Sequence, residues 1–367
     1  MGEVIMALIM DYLDWRGDLR FDADPFNEVD SYILSKFGCP DYTGIIFSDI
    51  EQLSLSVAVE QYFSLHGEEG SYLGALASPS IAPVIRRLPE LPRYRGIQVA
   101  GFVNRIDVEV QEQFSALTLL LPDGAAYISF RGTDDTLLGW KENMMMSVKD
   151  VIPAQSDALH YLEWAADAFS GPLIVGGHSK GGNLAVFAAT MASPEIQERI
   201  TAVYNFDGPG FPSTFFQQPG YQVIRSKIQT FLPQYSIVGM ILPREEDVTI
   251  VESSRAGIAA HDGFLWNVKG PRFVRCENFS RGTLAFESSM RTILDGMERD
   301  SRIAFINELF DTLSSTGAAT LTDVTELHTR QALVLGRDIY QKPEVHRFVT
   351  ALIELMIRDY ALERGKE

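Results

Sequence analysis

The sequence contains few cysteines and far fewer basic than acidic residues. Only Cys39 and Cys276 occur among 367 residues. Two cysteines make neither a disulfide framework nor a zinc-ligand pattern, and they are typical of a reducing compartment. Lysine and arginine total 31 while aspartate and glutamate total 49, so the formal net charge is −18. Because phosphate groups repel such a polyanion, we expect no nucleic acid partner and no attraction to an anionic membrane.

Long apolar runs are absent as well. Every apolar run is far shorter than the ~18 residues of a membrane-spanning helix, so we expect no stable membrane insertion. The apolar patch at 4–10 lacks a basic segment before it and a small-residue cleavage site after it, which argues against a signal peptide. We therefore predict a cytoplasmic protein. With 46% hydrophobic and 22% charged residues, the composition is that of a globular chain.

The middle of the chain alternates strand-like and helix-like segments. Runs typical of strands lie at 97–110, 114–121, 125–130, 173–177, 201–206, 227–232 and 248–251. Helical periodicity separates several of them, as at 156–169 and 182–191. Strands that alternate with helices predict an α/β fold, in which a mostly parallel sheet carries helices on both faces.

The two ends of the chain have a different texture. Residues 1–95 combine acidic and proline-rich loop segments with a helical stretch at 49–66. Residues 281–367 carry helical patterns at 284–297, 302–313 and 345–362. We therefore expect an N-terminal helical and loop extension (1–95), an α/β core (96–280) and a C-terminal helical region (281–367), joined in one compact unit.

The strongest chemical signal is the segment GHSKG at 177–181. Its Gly-x-Ser-x-Gly pattern is that of a nucleophile elbow, where a strand turns sharply into a helix and exposes a strained serine, here Ser179. An apolar strand precedes it and a small-residue helix follows, as the elbow requires. The N-terminus of that helix would direct N–H groups at developing negative charge. The alternative is a glycine-rich turn without a chemical role.

A serine nucleophile requires a base, and the chain has six histidines. In α/β-hydrolases the triad follows the order Ser, acid, His along the chain. His261 follows the last core strands in a glycine-containing loop, and we predict it as the base. His178 adjoins Ser179 but points a different way at an elbow, so we expect a structural role for it. The other histidines lie upstream or in the outer regions: His66, His160, His328 and His346.

Two aspartates compete for the role of the acid. Asp207 follows the strand TAVYNF, which places it at the carboxyl end of a strand, where catalytic groups collect in open α/β sheets. Asp247 lies in the loop REEDV and has a simple alternative as a solvated residue. We favour Asp207, which would orient the imidazole and stabilise its protonated form. Its own alternative is a role in the turn DGPG.

An oxyanion hole needs two N–H donors. Lys180, directly after the nucleophile, would supply one, and the loop RGT at 131–133 would supply the other. There Gly132 lets the backbone approach closely, while Thr133 offers both an N–H and a hydroxyl. The next segment, 134–148, combines Trp140 with three consecutive methionines. This adaptable apolar surface fits either a lid or the start of a packed helix.

These motifs together resemble the class 3 lipase branch of the α/β-hydrolase superfamily, where an FRG[ST] loop carries an oxyanion donor and GHSxGG carries the nucleophile. The closer resemblance is to the Mbeg-like family of bacterial lipase-like proteins. In this sequence the resemblance rests on five segments: YLDWRGDLRFDADPFNEVD, FRGTDDTLLGWKENMMMS, GHSKGGNLA, QYSIVGMIL and HDGFLW. The resemblance covers about residues 10–280 and continues more weakly beyond. It implies an α/β-hydrolase fold and esterase- or lipase-type hydrolysis.

One position departs from the class 3 lipase pattern. In that branch the acid lies ahead of the histidine loop, in a stretch comparable to FLPQYSIVGMIL, where this sequence has Ser236. The acid must then come from elsewhere, or a Ser–His dyad must work alone. Some lipases place the acid one strand earlier, which is where Asp207 lies.

We interpret the sequence as a serine esterase or lipase-like hydrolase that cleaves carboxylic esters or thioesters through an acyl-enzyme. It needs no metal and no organic cofactor. Its expected partner is a small ester or lipid-like substrate, neutral or cationic because of the charge of −18, and a homo-oligomer is compatible with the sequence. A related acyltransferase would use the same intermediate. The alternative is a catalytically silent hydrolase fold used for binding or regulation, which Ser236 favours.

Overall fold

A large sheet of eight strands organises the computed structural model, which describes residues 7–68, 70, 78–107, 112–133, 136–295, 297–320, 323, 329–347 and 349–350. The strands are β1 (Leu53–Ser54), β2 (Gln98–Asp107), β3 (Glu112–Leu120), β4 (Ala126–Phe130), β5 (Leu173–His178), β6 (Ile200–Phe206), β7 (Ile228–Pro233) and β8 (Val248–Val251). A separate antiparallel pair joins β9 (Val268–Lys269) to β10 (Arg272–Phe273).

Helices flank the sheet along the whole described chain. They are α1 (Ile9–Arg16), α2 (Glu28–Phe37), α3 (Leu55–His66), α4 (Ile81–Arg87), α5 (Leu137–Met145), α6 (Pro153–Ala168), α7 (Lys180–Met191), α8 (Pro194–Arg199), α9 (Pro219–Ile224), α10 (Arg281–Asp295) and α11 (Arg299–Ser314), with a further helix at Thr329–Tyr340. The helices predicted at 284–297 and 302–313 are α10 and α11, whereas most of 345–362 lies outside the described residues. Within the described ranges, no helix combines the length and apolarity that crossing a bilayer requires.

The order of the eight strands in the sheet follows their order in the chain. The pairs from β1 to β4 are antiparallel, and those from β4 to β8 are parallel. This confirms the predicted α/β fold with a mostly parallel sheet. Because each parallel strand is added on the same side, right-handed crossovers bring their connecting helices to one face. The carboxyl ends of β4 to β8 meet at one edge of the sheet, and the candidate site lies there.

Side chains of the strands alternate between two apolar cores, one on each face of the sheet. On β5, Leu173 and Val175 belong to the first core, together with Leu184 of α7, while Ile174 belongs to the second. The crossover helices α6 and α7 cover the first face. The second face is covered from the N-terminal part of the chain, with Ile33 of α2 in its core. The prediction of helices on both faces is therefore confirmed, although the division at 95 and 280 stays a prediction.

Helix α2 is a central element of the second face, and the sequence analysis does not predict it. Asn27 caps the helix, because its side chain accepts hydrogen bonds from the backbone N–H groups of Val29 and Asp30. All ten residues from Glu28 to Phe37 are buried. Half of its residues are nevertheless polar, so composition gives no sign that the helix is fully buried: Glu28, Asp30, Ser31, Ser35 and Lys36.

A buried ion pair fastens α2 to the segment after α4. Arg93 Nε donates to Asp30 Oδ1 at 2.8 Å and Nη2 donates to Oδ2 at 2.5 Å, with both side chains fully buried. The hydroxyls of Tyr12 and Tyr94 also donate to Oδ1, at 2.9 and 2.7 Å. These bonds compensate the carboxylate for its lost hydration and hold the N-terminal segments around α2.

A titrating carboxyl group at the start of β3 makes the stability of the fold depend on pH. Burial and the neighbouring Asp157 raise the pKa of Glu112 from about 4.5 to about 7. The folded state therefore retains a proton that the unfolded state releases, so this contribution is present below about pH 4.5 and is lost as the pH rises through 7. We expect Glu112→Gln to abolish this loss of stability with rising pH and to raise the free energy of unfolding at pH 8 by about 1 kcal/mol. Urea denaturation at pH 5 and at pH 8 measures the two free energies of unfolding.

The control for this prediction is Glu277→Gln at an exposed position. It should leave the pH dependence of unfolding as in the wild type. A Glu112→Gln protein whose stability falls between pH 5 and 8 as steeply as that of the wild type would contradict the prediction.

Candidate active site

Ser179 lies in a strained turn between β5 and α7. Its φ of 58° and ψ of −130° belong to a region that side-chain-bearing residues rarely adopt. A Cβ at Gly181 would lie 2.1 Å from the carbonyl oxygen of Phe130, and one at Gly177 would lie 2.3 Å from the carbonyl carbon of Gly181. Both glycines are thus required by close backbone contacts. The local geometry is that of the nucleophile elbow anticipated from the sequence.

The structure brings His261 and Asp207 together. His261 ends a short helical turn (Gly257–His261) after β8, and its Nδ1 lies 2.7 Å from Asp207 Oδ2. Asp207 directly follows β6, and its side chain is fully buried. A carboxylate only accepts, so Nδ1 carries the proton and Nε2 is left as the basic nitrogen. Among the described residues, neither His261 Nε2 nor Ser179 Oγ has a hydrogen-bond partner.

The backbone is strained at Asp207 as well as at Ser179, because the φ of Asp207 is 50°. In the described part of the chain, these two are the non-glycine residues with positive φ. Such conformations cost on the order of 1–3 kcal/mol each and persist where the surrounding structure enforces them, often at functional sites. The strain therefore occurs at Ser179 and Asp207, two of the residues to which the sequence motifs assigned a chemical role.

Ser236 and Gly239 hold the second oxygen of the Asp207 carboxylate. Ser236 Oγ donates to Asp207 Oδ1 at 2.5 Å, and the backbone N–H of Gly239 donates to the same oxygen at 3.2 Å. Arg244 joins the two loops, because its Nη2 donates to the carbonyl oxygens of Gly208, at 3.0 Å, and Gly239. The serine at the position of the class 3 lipase acid thus orients an aspartate from the neighbouring strand. The sequence analysis did not recognise this role.

Asp247, the competing acid, lies away from this group. It is exposed and directly precedes β8. Because β8 runs parallel to β7, the start of β8 lies at the edge of the sheet opposite the carboxyl ends that carry Ser179 and Asp207. Of the two aspartates, the structure places Asp207 and not Asp247 next to the His261 imidazole.

The predicted oxyanion loop lies against the elbow. A Cβ at Gly132 would lie 2.7 Å from the carbonyl oxygen of His178 and 3.2 Å from Ser179 Cβ, so only glycine permits this approach. Thr133 Oγ1 accepts a hydrogen bond from Asn143 Nδ2 at 2.6 Å, which leaves the Thr133 hydroxyl proton available for a substrate oxygen. Asn143 is a contact that the sequence analysis missed.

Lys180 is the first residue of α7, so its backbone N–H lies at the N-terminal end of the helix beside Ser179. Its side chain points away into the interior. Lys180 Nζ donates to Glu142 Oε2 at 2.8 Å and to the carbonyl oxygen and Oε1 of Gln113 at 2.5 and 3.0 Å. This buried ion pair fixes α5 and β3 relative to the elbow.

The segment 134–148, considered as a lid or a packed helix, contains α5, while 134–135 lie outside the described residues. Glu142 and Met145 of α5 are buried, and Trp140 packs against the first core. Leu137 N donates to the carbonyl oxygen of Ala319 at 2.9 Å. In this structure α5 is packed between the sheet and the C-terminal part of the chain, beside α11.

His178 is the last residue of β5, directly before Ser179, and the centre of its ring lies 4.3 Å from that of His261. Its Nε2 is 2.7 Å from the backbone oxygen of His261, and its Nδ1 is 2.8 Å from Lys36 Nζ of α2. Burial, and then the Lys36 charge and the His261 ring, hold the pKa of His178 well below its usual range. The ring is therefore neutral. Lys36 comes from a segment to which the sequence analysis gave no functional role.

The other histidines described by the structure lie elsewhere. His160 is exposed on α6, His66 ends α3 beside Tyr62, and His346 packs against Tyr340. His328 lies outside the described residues. In the described ranges, no three His, Cys, Asp or Glu side chains converge as metal ligands would.

A cavity of about 270 Å³ lies beside α7. Its lining is largely apolar and includes Phe187, Phe211 and Phe215. Its lining also includes Asn183 of α7, but neither Ser179, His261 nor Thr133. The Asn183 side chain accepts a hydrogen bond at Oδ1 from Gln155 at 2.8 Å. A mostly apolar cavity is suited to apolar parts of a small ligand.

The comparisons with known proteins identify a family. The sequence model of the Mbeg1-like family matches residues 88–311, which is more than half of the 367 residues. The match includes the elbow, Asp207 and the His261 loop but not α2. No curated protein and no solved structure matches the chain. The resemblance noted from the sequence motifs is thereby confirmed, and the chain belongs to the Mbeg1-like family.

Proposed function

We propose that this protein is a serine hydrolase that cleaves carboxylic esters or thioesters through an acyl-enzyme. One observation carries the proposal: the backbone is strained at Ser179, in the elbow, and at Asp207, whose carboxylate binds the His261 imidazole at 2.7 Å. Strain at a serine elbow, combined with a carboxylate-oriented imidazole, is an arrangement that nucleophilic catalysis requires and packing alone does not.

In the proposed reaction Ser179 Oγ attacks the ester carbonyl carbon while His261 Nε2 takes its proton. The carbonyl oxygen becomes an oxyanion, which the backbone N–H groups of Thr133 and Lys180 and the Thr133 hydroxyl stabilise. His261 then protonates the leaving alkoxide or thiolate as the carbon–oxygen or carbon–sulfur bond breaks. Water, deprotonated by His261, cleaves the acyl-enzyme and restores Ser179. Asp207 stabilises the imidazolium in both halves of the reaction.

A fluorophosphonate probe tests the proposal, because it labels only an activated serine. We expect the wild-type protein to be labelled and Ser179→Ala to be unlabelled, as read from the mass of the intact protein. Ser289→Ala on α10 is the matched control, since Ser289 donates to the carbonyl oxygen of Ala285 within that helix. An unlabelled wild-type protein, or labelling that survives Ser179→Ala, would refute the proposal.

A second candidate is a catalytically silent hydrolase fold. The observation in its favour is that Ser179 Oγ and His261 Nε2 form no hydrogen bond among the described residues. Catalytic hydrogen bonds are often long before substrate binds, so we favour the enzyme. Ser236, which supported the silent alternative at the level of sequence, now supports a functional acid because it donates to Asp207. Probe labelling separates the two candidates.

A further inference from the structure

Lys36 is a buried lysine without an acidic partner. In the part of the chain that the structure describes, no carboxylate forms an ion pair with its ammonium group. Lys36 is 7% exposed, with Nζ 2.8 Å from Nδ1 of His178 and 5.3 Å from the centre of the Tyr32 ring. Burying an ammonium is unfavourable unless its hydrogen bonds are replaced. The fold therefore retains an unfavourable charge next to His178, the residue before Ser179.

The contact with Lys36 determines which nitrogen of His178 carries the proton. An ammonium is a donor only, so Nδ1 of His178 must accept. The ring is neutral, hence its proton is on Nε2, which donates to the His261 carbonyl oxygen at 2.7 Å. The charged and titratable groups around this pair are the Lys36 ammonium, the His261 ring and, acting on Lys36, Cys39 and Asp262.

We propose that Lys36 and His178 are positioning residues for the candidate base: the Lys36 ammonium donates to Nδ1 and holds the His178 ring, whose Nε2–H binds the His261 backbone carbonyl, and this bond fixes the imidazole beside Asp207. The inference rests on the proposed function. A second bond from the same helix supports it, because the Tyr32 hydroxyl accepts from the backbone N–H of Gly263 at 2.8 Å. Helix α2 thus holds the histidine loop at two positions. It binds Gly263 directly through Tyr32, and it binds His261 through the contact of Lys36 with His178.

Loss of the ammonium has a defined consequence. Without Lys36, Nδ1 of His178 is a buried acceptor with no donor. The ring can reach another donor only by rotating, which breaks the bond from Nε2 to the carbonyl oxygen of His261, so the loop shifts. A misplacement of about 1 Å at a reacting group lowers the rate about 10²-fold.

The test uses three variants of the full chain. Lys36→Met removes both the donor and the charge at similar length, whereas Lys36→Gln removes the charge but retains a donor. Lys269→Met, at an exposed position on β9, is the matched control. Each protein is examined by ¹H–¹⁵N spectra of the histidine rings, which separate the two tautomers, by kcat and KM for a p-nitrophenyl ester, and by thermal unfolding.

We expect the wild-type His178 ring to carry its proton on Nε2 from pH 6 to pH 8. In Lys36→Met the Nε2–H resonance of His178 shifts because its bond to the carbonyl oxygen of His261 is lost, kcat falls about 10²-fold, KM changes less than threefold, and Tm is not lowered because an apolar side chain replaces a buried charge. Lys36→Gln should keep that resonance at its wild-type position and recover at least tenfold of the lost kcat. Lys269→Met should match the wild type.

The inference is overturned if wild-type His178 carries its proton on Nδ1, or if kcat of Lys36→Met equals that of the wild type. A parallel fall of Tm and kcat in Lys36→Met would reduce Lys36 to a general structural role and also overturn it. A wild-type protein that neither hydrolyses esters nor reacts with the fluorophosphonate probe refutes the proposed function instead. The ring spectra still decide the tautomer in that case.

Discussion

Replacement of Asp207 by asparagine is expected to lower kcat/KM for a p-nitrophenyl ester by about 10⁴-fold, the loss caused by the same replacement in serine protease triads. The carboxylate accepts the Nδ1 proton of His261 at 2.7 Å and so keeps Nε2 basic. An asparagine amide can donate to Nδ1 instead, which selects the unproductive tautomer, and it no longer stabilises the imidazolium. Steady-state kinetics of the purified proteins measure the effect.

Two further variants test whether the effect is specific to the Asp207 carboxylate. Asp247→Asn should retain wild-type kcat/KM, because Asp247 is exposed at the start of β8. Ser236→Ala should cost about tenfold, since a hydrogen bond to a charged group contributes about 1.5–3 kcal/mol and the Gly239 N–H remains on the same oxygen. Full activity of Asp207→Asn together with an inactive Asp247→Asn would show that the acid is wrongly assigned.

Replacement of Arg93 by methionine is expected to lower the free energy of unfolding by about 3–5 kcal/mol, as measured by urea denaturation. The Asp30 carboxylate would remain fully buried without its counter-charge. The connection between α1 and α2 would be loosened with it, because the Arg93 guanidinium also donates to the carbonyl oxygens of Leu19 and Asp24, at 2.8 and 3.0 Å. We expect esterase activity to fall as well, since α2 holds the His261 loop.

The exposed pair of Arg20 with Asp22 is the control for this prediction. Both side chains are more than 60% exposed, and a surface pair of this kind contributes at most about 1 kcal/mol. Arg20→Met should therefore shift the urea midpoint only slightly. An Arg93→Met protein as stable as Arg20→Met would mean that the hydrogen-bonded tyrosines alone compensate the Asp30 charge.

The elbow could be predicted from sequence because its constraints are local. Gly177 and Gly181 are needed within four residues of one another, and the strand before Ser179 and the helix after it have distinct compositions. Asp207 could be proposed from strand polarity, since an aspartate at the end of a parallel strand reaches the same sheet edge as the elbow. The position of His261 followed from the order of the triad along the chain.

The rest of the site could not be predicted, because it depends on contacts between distant segments. Lys36 meets His178 across 142 positions of sequence, and no local pattern records such a pairing. Ser236 had been interpreted as the loss of an acid, whereas its partner lies 29 residues away on the neighbouring strand. Helix α2 escaped prediction because the partners of its buried polar residues lie in distant parts of the sequence, as Arg93 does for Asp30 and His178 for Lys36.

The strands lie in the sheet in the same order as in the chain, and this has a consequence for how the protein folds during its synthesis. Since the crossover helices share one face, the second face needs α2, and α2 contacts partners 96, 142 and 245 residues farther along the chain at Tyr127, His178 and Phe273. Such long-range contacts slow folding and prolong the exposure of apolar surface. During translation α2 leaves the ribosome before any strand of the large sheet and completes its packing last, so the nascent chain is expected to depend on chaperones until Phe273 has emerged.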